Sequence, residues 1–187
     1  PLINLLRETL LSRGYVLMDE TTVQVLDEAG KAAQAKSYLW AQMSVDESPI
    51  ILFDYDATRL SAIPLSLLEG FSGTLHTDGY RGYDAATERY ELTRVYCMTH
   101  ARRKFVEIIK SAGFNPKKLP SKPPPEVRQA FKALALFKTL YIIERRIKDD
   151  TVDERYRQRQ HYALPVLAKL RAWLDSKLNT VLPSSKM

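Results

Sequence analysis

The stretch LHTDGYRGYDAATERYELTRVYCMTHARRKF, residues 75–105, places an aspartate, Asp78, directly after a short apolar run. Gly79 follows at once. One interpretation is a simple turn, because glycine adopts the left-handed backbone conformation at no steric cost and aspartate caps turns. The other is that Asp78 stands at the carboxyl end of a buried strand to hold a metal ion. A second carboxylate elsewhere in the chain is needed to choose between them.

Strand-like and helix-like segments alternate on both sides of this aspartate. Five segments rich in β-branched and aromatic residues are predicted strands: 15–26, 37–45, 49–56, 73–78 and 92–98. Four segments are predicted to be helical, the third being either helix or turn: 2–12, 59–71, 80–88 and 99–113. Thr58 and Thr99 are placed to cap the second and fourth helices, and Pro64 is expected to break or delay the second. Gly14 and Gly113 are placed to end the first and the last.

The order of these segments predicts a mixed sheet. Three strands linked by hairpins come first. The fourth and fifth strands follow helical connections, so they are expected to join in parallel on the far side of strand one. Right-handed crossovers and short connections leave few other topologies. The predicted fold class is therefore α/β, with a ribonuclease-H-like mixed five-stranded sheet and flanking helices.

The remainder of the chain is predicted to be a linker followed by helices. Residues 115–126, NPKKLPSKPPPE, are rich in proline and lysine and can continue neither a helix nor a central strand. Two apolar stripes follow, the second interrupted by Pro165: Val127, Phe131, Leu134, Phe137 and Tyr141, then Tyr156, Ala163, Leu167, Leu170 and Leu174. They predict two antiparallel helices joined near residues 149–154. The predicted domains are a core over 1–114, a linker over 115–126 and a C-terminal helical hairpin insertion over 127–187.

The composition excludes several classes of protein. Hydrophobic residues make up 45% and charged residues 27% of the 187 residues, which is ordinary for a soluble globular protein. The single Cys97 can form neither an internal disulfide nor a zinc knuckle. No apolar run approaches the roughly 20 residues that cross a bilayer, and the N-terminus lacks a signal-peptide pattern. A cytoplasmic protein without a membrane partner is expected.

Charge is distributed unevenly along the chain. Residues 1–98 carry 8 Lys+Arg against 14 Asp+Glu, net −6, whereas residues 99–187 carry 20 against 8, net +12. A basic region of this size favours a polyanionic partner, although a solvated basic face is the alternative. An acidic region that faces the same partner makes sense chiefly if some of its carboxylates hold cations.

A second carboxylate that meets this requirement, Asp19, lies inside the first predicted strand. In the predicted sheet strand one lies beside strand four, roughly 4.8 Å away, so Asp19 and Asp78 are expected to have carboxylate oxygens within roughly 4 to 7 Å. Mg²⁺ prefers such oxygen ligands. Asp54 and Asp56 end strand three, two strands from strand one, and are predicted to be turn or rim carboxylates. Glu20 is expected to point to the opposite face of the sheet from Asp19.

The predicted helix over 99–113 begins with a basic cluster. Four of its residues are candidate phosphate contacts: His100, Arg102, Arg103 and Lys104. Positive charge at a helix start opposes the helix dipole, so an anion there relieves the conflict. Glu107 lies on the same face as His100 but is predicted to pair with Arg103 at i, i+4. Tyr80 and Tyr83 are predicted to be buried rather than stacked on a nucleic-acid base.

Three segments, LMDETTVQVL (17–26), LHTDGYRGY (75–83) and CMTHARRKF (97–105), resemble the transposases of insertion-sequence family sixty-six. They occur in the same order and are followed by a proline-lysine arm and long helices. The resemblance implies a DDE-type DNA transposase, which cleaves and transfers DNA strands at transposon ends by metal-dependent phosphoryl transfer. It also implies that Asp19 and Asp78 are the first two catalytic acids and that they hold two ions, Mg²⁺ or Mn²⁺.

The resemblance sets further expectations. The family's third acid is a glutamate in a later stretch resembling DNNxAER, which is absent from residues 1–187. We therefore expect this acid beyond Met187, the second metal site to be weakly occupied or empty, and the isolated chain to be inactive. The implied partners are DNA, as transposon ends and as target, and further copies of the protein in a synaptic complex. The implied location is the bacterial cytoplasm, in association with the nucleoid.

Two other functions remain open on the residues alone. A structure-specific DNA nuclease such as a junction resolvase uses the same fold and acids, but it does not require the basic helical insertion. A catalytically silent DNA-binding or dimerisation module has no reason to retain Mg²⁺ or Mn²⁺ at Asp19 and Asp78. Metal binding therefore separates the silent module from the two enzymes.

Overall fold

The structure is a computed structural model that describes residues 1–178. The chain divides into two compact units, the first over Pro1–Cys97 and the second beginning at Met98. The helix after the fifth strand is therefore grouped with the helical region, whereas the boundary drawn from the sequence falls at residue 114. Within the described range, no helix combines the length and the apolar character needed to cross a membrane.

The first unit contains five strands and three α-helices among the described residues. The strands are β1 Tyr15–Gln24, β2 Lys36–Ser44, β3 Ile51–Asp56, β4 Thr74–Thr77 and β5 Thr93–Tyr96. The helices are α1 Leu2–Leu11, α2 Ala62–Leu67 and α3 Asp84–Arg89, and a 3-10 turn spans Arg81–Tyr83. All five predicted strands are present. β2 is shifted by one residue toward the N-terminus relative to the predicted segment 37–45, and each of the other four strands is shorter than the segment predicted for it.

The strands form one sheet in the order β3-β2-β1-β4-β5. β1 pairs antiparallel with β2, and β2 antiparallel with β3, whereas β4 is parallel to both β1 and β5. The predicted mixed topology is confirmed in strand order and direction. β1 and β4 are therefore parallel neighbours, and their carboxyl ends lie toward the same edge of the sheet.

A close backbone approach fixes β4 beside β1. Gly73 has φ +133°, and a Cβ atom there would lie 2.3 Å from the carbonyl oxygen of Gly14. That same oxygen accepts a hydrogen bond from the backbone N–H of Thr74 at 2.9 Å. Only glycine fits this position, because any side chain would collide with backbone atoms that cannot move aside.

One face of the sheet carries the core of the first unit. Its buried members are Leu10, Val16, Met18, Trp40, Leu52, Leu68, Phe71, Leu75, Tyr83, Ala86 and Leu92. Burial of each large apolar side chain contributes about 1.5 to 3 kcal/mol. Because successive side chains of a strand alternate between faces, burial of Val16 and Met18 directs Asp19 to the opposite face.

One local prediction in the first unit was wrong. Thr58 does not cap α2, which begins after Ser61; the Thr58 hydroxyl instead donates to Asp56 at 2.8 Å. The delayed start agrees with the expected effect of Pro64, which lies in the first turn of this helix. Gly79 is not among the residues with positive φ, so the turn after β4 does not depend on a left-handed glycine.

The second unit is helical. Its described elements are α4 Met98–Ser111, α5 Pro125–Arg146, α6 Val152–Gln158, a π-helix Arg159–Ala163 and α7 Leu164–Leu178. The indole N–H of Trp173 donates to Gln129 at 3.2 Å, and Arg159 donates to Glu144 at 2.9 Å, so the chain after α5 returns antiparallel to it. Residues 179–187 of the predicted insertion lie outside the described residues.

One helix boundary in the second unit differs from the sequence prediction. Thr99 lies inside the first turn of α4 rather than at its cap, and its hydroxyl is 3.2 Å from that of Tyr141. The second apolar stripe is interrupted near Pro165, because the π-helix separates α6 from α7 and Pro165 lies in the first turn of α7. Thr151 caps α6 by accepting from the Glu154 N–H at 3.3 Å.

Two buried clusters stabilise the second unit. They contain Ile108, Ile109, Val127, Ala130 and Leu134, and Ile143, Ile147 and Ala163. The predicted second stripe was wrong in part: Ala163 and Leu170 are buried, but Tyr156 is 62% exposed and Leu174 41%. A π-turn holds one more residue than an α-turn, so side chains before the π-helix are rotated by roughly 100° about the helix axis relative to those after it. Tyr156 precedes the π-helix and therefore does not continue the buried face of Leu170.

Candidate functional site

Asp19 and Asp78 meet on one face of the sheet, close to the ends of adjacent parallel strands. Their carboxylate oxygens come within 4.8 Å of one another, which confirms the predicted proximity. The register pairs Leu17 with His76, and continued by two residues it sets Asp19 opposite Asp78. Asp19 is exposed and Asp78 is half-buried.

The Asp78 carboxylate is fixed by its own turn. Its Oδ1 accepts a hydrogen bond from the backbone N–H of Tyr80 at 2.8 Å. The Asp78 carbonyl oxygen accepts from the Thr77 hydroxyl at 2.8 Å and from the Arg94 guanidinium at 3.1 Å. Asp78 therefore has one carboxylate oxygen engaged in the turn, and its backbone is held from two sides.

The neighbour of Asp19, Glu20, points into the core, as strand alternation predicts. Its side chain is only 2% exposed, and it accepts hydrogen bonds from Arg59 Nε at 2.7 Å and from the Tyr83 hydroxyl at 2.5 Å. The Arg59 guanidinium lies 3.7 Å from the ring centroid of Tyr80, whose hydroxyl donates to the Arg59 carbonyl. One cluster around the buried Glu20 carboxylate thus connects the residue after Asp19 with the turn that carries Asp78.

The electrostatics of this cluster follow from the buried carboxylate. Burial, together with the hydrogen bond to Glu20, raises the pKa of Tyr83 far above its ordinary value, so the phenol remains a donor. Burial alone would lower the pKa of Arg59, but the hydrogen bond and charge of Glu20 outweigh it and raise that pKa. The predicted burial of Tyr83 is confirmed, since it is fully buried and packs edge-on against Trp40.

The other carboxylates singled out from the sequence have structural partners. Asp56 accepts from the Thr58 N–H in a turn. Asp54 binds Arg7 of α1 through two hydrogen bonds, at 2.7 and 3.2 Å, and accepts from Gln42 at 2.8 Å. Both lie on β3, two strands from β1, so the acidic pair does not include them.

The predicted phosphate contacts lie in α4 of the second unit. Arg103 and Lys104 are exposed and Arg102 and His100 half-buried. Glu107 pairs with Lys104, at 4.0 Å, and not with Arg103 as predicted. Both members of this pair are more than half exposed, so it leaves the basic character of the α4 surface in place.

Arg59 and Arg94 are the residues that sequence patterns missed. Arg94 had one available signal, since it is a charged residue within the apolar strand pattern LTRVY, where a buried charge requires a partner. Arg59 had none, because it lies in the loop between β3 and α2 and meets Glu20 only in the folded chain.

The acidic pair suits a hard divalent cation. Two carboxylates offering oxygens within 4.8 Å of each other match the ligand preference of Mg²⁺ and Mn²⁺, which favour hard oxygen ligands over soft cysteine sulfur. Asp19 and Asp78 are the residues that would hold such an ion. The fold and the site together define a class of protein, namely one whose α/β unit has a mixed sheet and carries an acidic pair on adjacent parallel strands.

The comparison with known proteins gives the family. The whole chain, residues 1–187, matches the sequence model of the Transposase IS66 family, and the protein belongs to that family. The resemblance inferred from the three sequence segments is therefore confirmed.

Three uncharacterized proteins of Sinorhizobium fredii are similar to the chain. y4jD is 28% identical over 200 residues, covering 100% of this chain and 36% of y4jD. y4hP is 28% identical over 144 residues, covering 74% of this chain and 26% of y4hP. y4qI is 31% identical over 106 residues, covering 50% of this chain and 20% of y4qI. The chain thus spans about a third, or less, of the length of these relatives.

Proposed function

We propose that this chain belongs to the catalytic core of a DDE-type DNA transposase with a ribonuclease-H-like fold. The observation that carries the proposal is the pairing of Asp19 with Asp78, within 4.8 Å, on adjacent parallel strands of a 3-2-1-4-5 mixed sheet. Membership of the Transposase IS66 family supports DNA strand transfer as the chemistry. The whole protein would act on transposon ends and target DNA as a homo-oligomer.

In this proposal each residue has a separate role. Asp19 and Asp78 would hold the divalent ions, and the chemistry that bound ions would supply is activation of an attacking hydroxyl and stabilisation of the leaving oxygen in a phosphoryl displacement. Asp78 offers the carboxylate oxygen that its turn leaves unused, because Oδ1 already accepts from Tyr80. Glu20 takes no part in binding ions, since its carboxylate is buried and bonded to Arg59 and Tyr83.

The basic start of α4 supplies the DNA contacts in this proposal. The contacting residues are His100, Arg102, Arg103 and Lys104. Phosphate contacts position a protein on DNA without reading its sequence, so these residues would contribute affinity rather than specificity.

The test is to measure Mn²⁺ binding to the full chain, by electron paramagnetic resonance of the free ion and by calorimetry. Asp19→Asn and Asp78→Asn should each weaken binding by at least about tenfold, because each removes one negative ligand. Asn at position 78 can still accept from the Tyr80 N–H, so the turn is kept. Asp56→Asn is the matched control, and it should bind Mn²⁺ like the wild type.

Equal Mn²⁺ binding by all four proteins would refute the acidic pair as the site. No Mn²⁺ binding by the wild type would favour the catalytically silent module. Strand transfer assayed on a transposon-end duplex with the full-length protein separates a transposase from a nuclease, which cleaves but does not join.

A further inference from the structure

Arg94 has an unusual environment for a charged residue. It lies in β5, the strand next to β4, and its side chain is only 7% exposed. Its guanidinium donates at four places to the segment that runs from the last residue of β4 to the first residue of α3: Thr77 Oγ1 at 3.0 Å, the Asp78 carbonyl at 3.1 Å, the Tyr80 carbonyl at 2.6 Å and the Asp84 carboxylate. All of these acceptors belong to residues 77–84, the stretch that presents Asp78.

The energetics of burial explain why Arg94 has several hydrogen-bond partners. A buried guanidinium is costly unless its charge is paired and its N–H groups are bonded. Asp84 supplies the opposite charge and accepts from one guanidinium nitrogen, and the Thr77 hydroxyl and two backbone carbonyls accept from the other two nitrogens. Two tyrosine rings flank the group, with centroids 5.4 Å (Tyr83) and 4.9 Å (Tyr96) from the guanidinium carbon.

The geometry of the turn makes Arg94 a clamp on Asp78. Arg94 binds the carbonyl of Asp78 and the carbonyl of Tyr80, and so holds the backbone at both ends of a three-residue turn. The N–H of Tyr80 in turn fixes Oδ1 of Asp78 at 2.8 Å. A shift of the Tyr80 peptide would therefore move the Asp78 carboxylate relative to Asp19.

We propose that Arg94 is a positioning residue that sets the Asp78 carboxylate at the distance from Asp19 that a divalent cation requires. The inference rests on the proposed metal-binding role of the two aspartates. Arg94 bonds the Asp78 carbonyl and acts on its carboxylate only through the turn, so it does not compete with an ion for ligand oxygens. Residues that orient metal ligands in this way typically affect metal affinity by 10- to 100-fold when replaced.

Lysine is the informative replacement for Arg94. It keeps the positive charge opposite Asp84 but cannot reproduce the planar fork that reaches several acceptors at once. We expect Arg94→Lys in the full chain to weaken Mn²⁺ binding by about 10- to 100-fold. At higher Mn²⁺ concentration the variant should still give the electron paramagnetic resonance spectrum of bound Mn²⁺, because both aspartates remain.

Arg7→Lys is the matched control for this substitution. Arg7 also makes two-point hydrogen bonds from a partly buried side chain in the first unit, but to Asp54 on β3 and not to the Asp78 turn. Urea unfolding of both variants measures the change in stability that each causes. The proposal requires a decrease of Mn²⁺ affinity in Arg94→Lys that is absent from Arg7→Lys, whatever the two stabilities are.

A second variant keeps the inference testable if Arg94→Lys fails to fold. Thr77→Val removes the hydroxyl that accepts from Arg94 and donates to the Asp78 carbonyl, without altering any charge. It should weaken Mn²⁺ binding by several-fold. Wild-type affinity in Thr77→Val, or in a folded Arg94→Lys, would overturn the role of Arg94 while leaving the metal site intact. Absence of Mn²⁺ binding by the wild type would instead overturn the proposed function, and the positioning role with it.

Discussion

Glu20 and Asp19 are neighbours in the chain with opposite environments, and the difference comes from the geometry of a single strand. Side chains of β1 alternate between a face that is packed and a face that is open, so Glu20 is buried and Asp19 exposed. A buried carboxylate requires hydrogen-bond donors in place of water, and Arg59 and Tyr83 supply them.

The hydrogen bond from the Tyr83 hydroxyl to Glu20 is predicted to contribute more to the free energy of unfolding than a hydrogen bond between neutral groups does. Tyr83→Phe should destabilise the chain by about 1.5 to 3 kcal/mol, because it removes a donor from a buried charged acceptor. Tyr90→Phe is the control, since its hydroxyl donates at 2.9 Å to a neutral carbonyl, that of Leu65, and should cost only about 0.5 to 1.5 kcal/mol. Urea unfolding measures both, and equal decreases in stability would contradict the special role of Glu20.

The two glycines of the DGYRG segment, residues 78–82, are predicted to differ in how well they tolerate replacement by alanine. A Cβ atom at Gly82 would lie 2.1 Å from the Tyr80 ring, whereas nothing lies within 4 Å of a Cβ at Gly79. Gly82→Ala should therefore cost about 1 to 3 kcal/mol through overpacking, and Gly79→Ala should be close to neutral. Thermal unfolding of the pair provides the comparison, and a neutral Gly82→Ala would mean that the Tyr80 ring moves aside freely.

Among the helices of the second unit, the π-helix Arg159–Ala163 determines how the returning chain faces α5. Arg159 lies at its start and forms two hydrogen bonds with Glu144 of α5, at 2.9 and 2.6 Å. This interaction lowers the pKa of Glu144 and raises that of Arg159. The pair joins two elements that are separated by a loop and a further helix.

A pH dependence follows from the direction of the Glu144 shift. A carboxylate whose pKa is lower in the folded state stabilises the fold above its ordinary value of 4.5, and this contribution disappears as pH falls through the folded value. Both side chains are nearly half exposed, so solvent screening limits the effect to about 0.2 to 1 kcal/mol.

The corresponding variant is Glu144→Gln, which should be less stable than the wild type at pH 7 and equal to it well below pH 4.5. Glu107→Gln serves as the control, because Glu107 meets Lys104 only at 4.0 Å. Far-ultraviolet circular dichroism during urea unfolding follows the helical signal at both pH values. A stability difference that persists unchanged at low pH would contradict the ion pair as its source.

Across the whole chain, the dominant feature is the division of charge. The net charge is −6 over residues 1–98 and +12 over residues 99–187. A polyanion is therefore expected to meet the second part of the chain, with attraction that is screened over about 10 Å at 0.1 M salt.

DNA binding is predicted to be largely independent of sequence and steeply dependent on salt. Replacing Arg102, Arg103 and Lys104 together by alanine should flatten the plot of log affinity against log salt, by up to about 0.9 for each phosphate that the variant no longer neutralises. The control replaces three exposed cations of the first unit, Lys36, Arg81 and Arg89, and so removes the same net charge. Fluorescence anisotropy with a labelled duplex measures the slopes, and equal flattening in both variants would mean that α4 makes no specific contact with the DNA backbone.

Local sequence patterns were sufficient to predict the strands, their order and the meeting of Asp19 with Asp78. Alternation along a strand, the turns between hairpin strands and the handedness of crossovers are properties of short segments, so they can be recognised without knowledge of distant residues. The same patterns were wrong at Thr58 and Thr99, because a hydroxyl near a helix start caps it only if the helix begins at the next residue.

The side chains that hold the acidic pair in place, in contrast, became identifiable only in the folded chain. Glu20 meets Arg59 and Tyr83 across 39 and 63 residues of sequence, and no periodicity links positions so far apart. Arg94 finds its acceptors in a turn whose carbonyls converge only after β4 and β5 have paired. A buried charge selects its partners by distance and desolvation, and these quantities do not exist until the chain has folded.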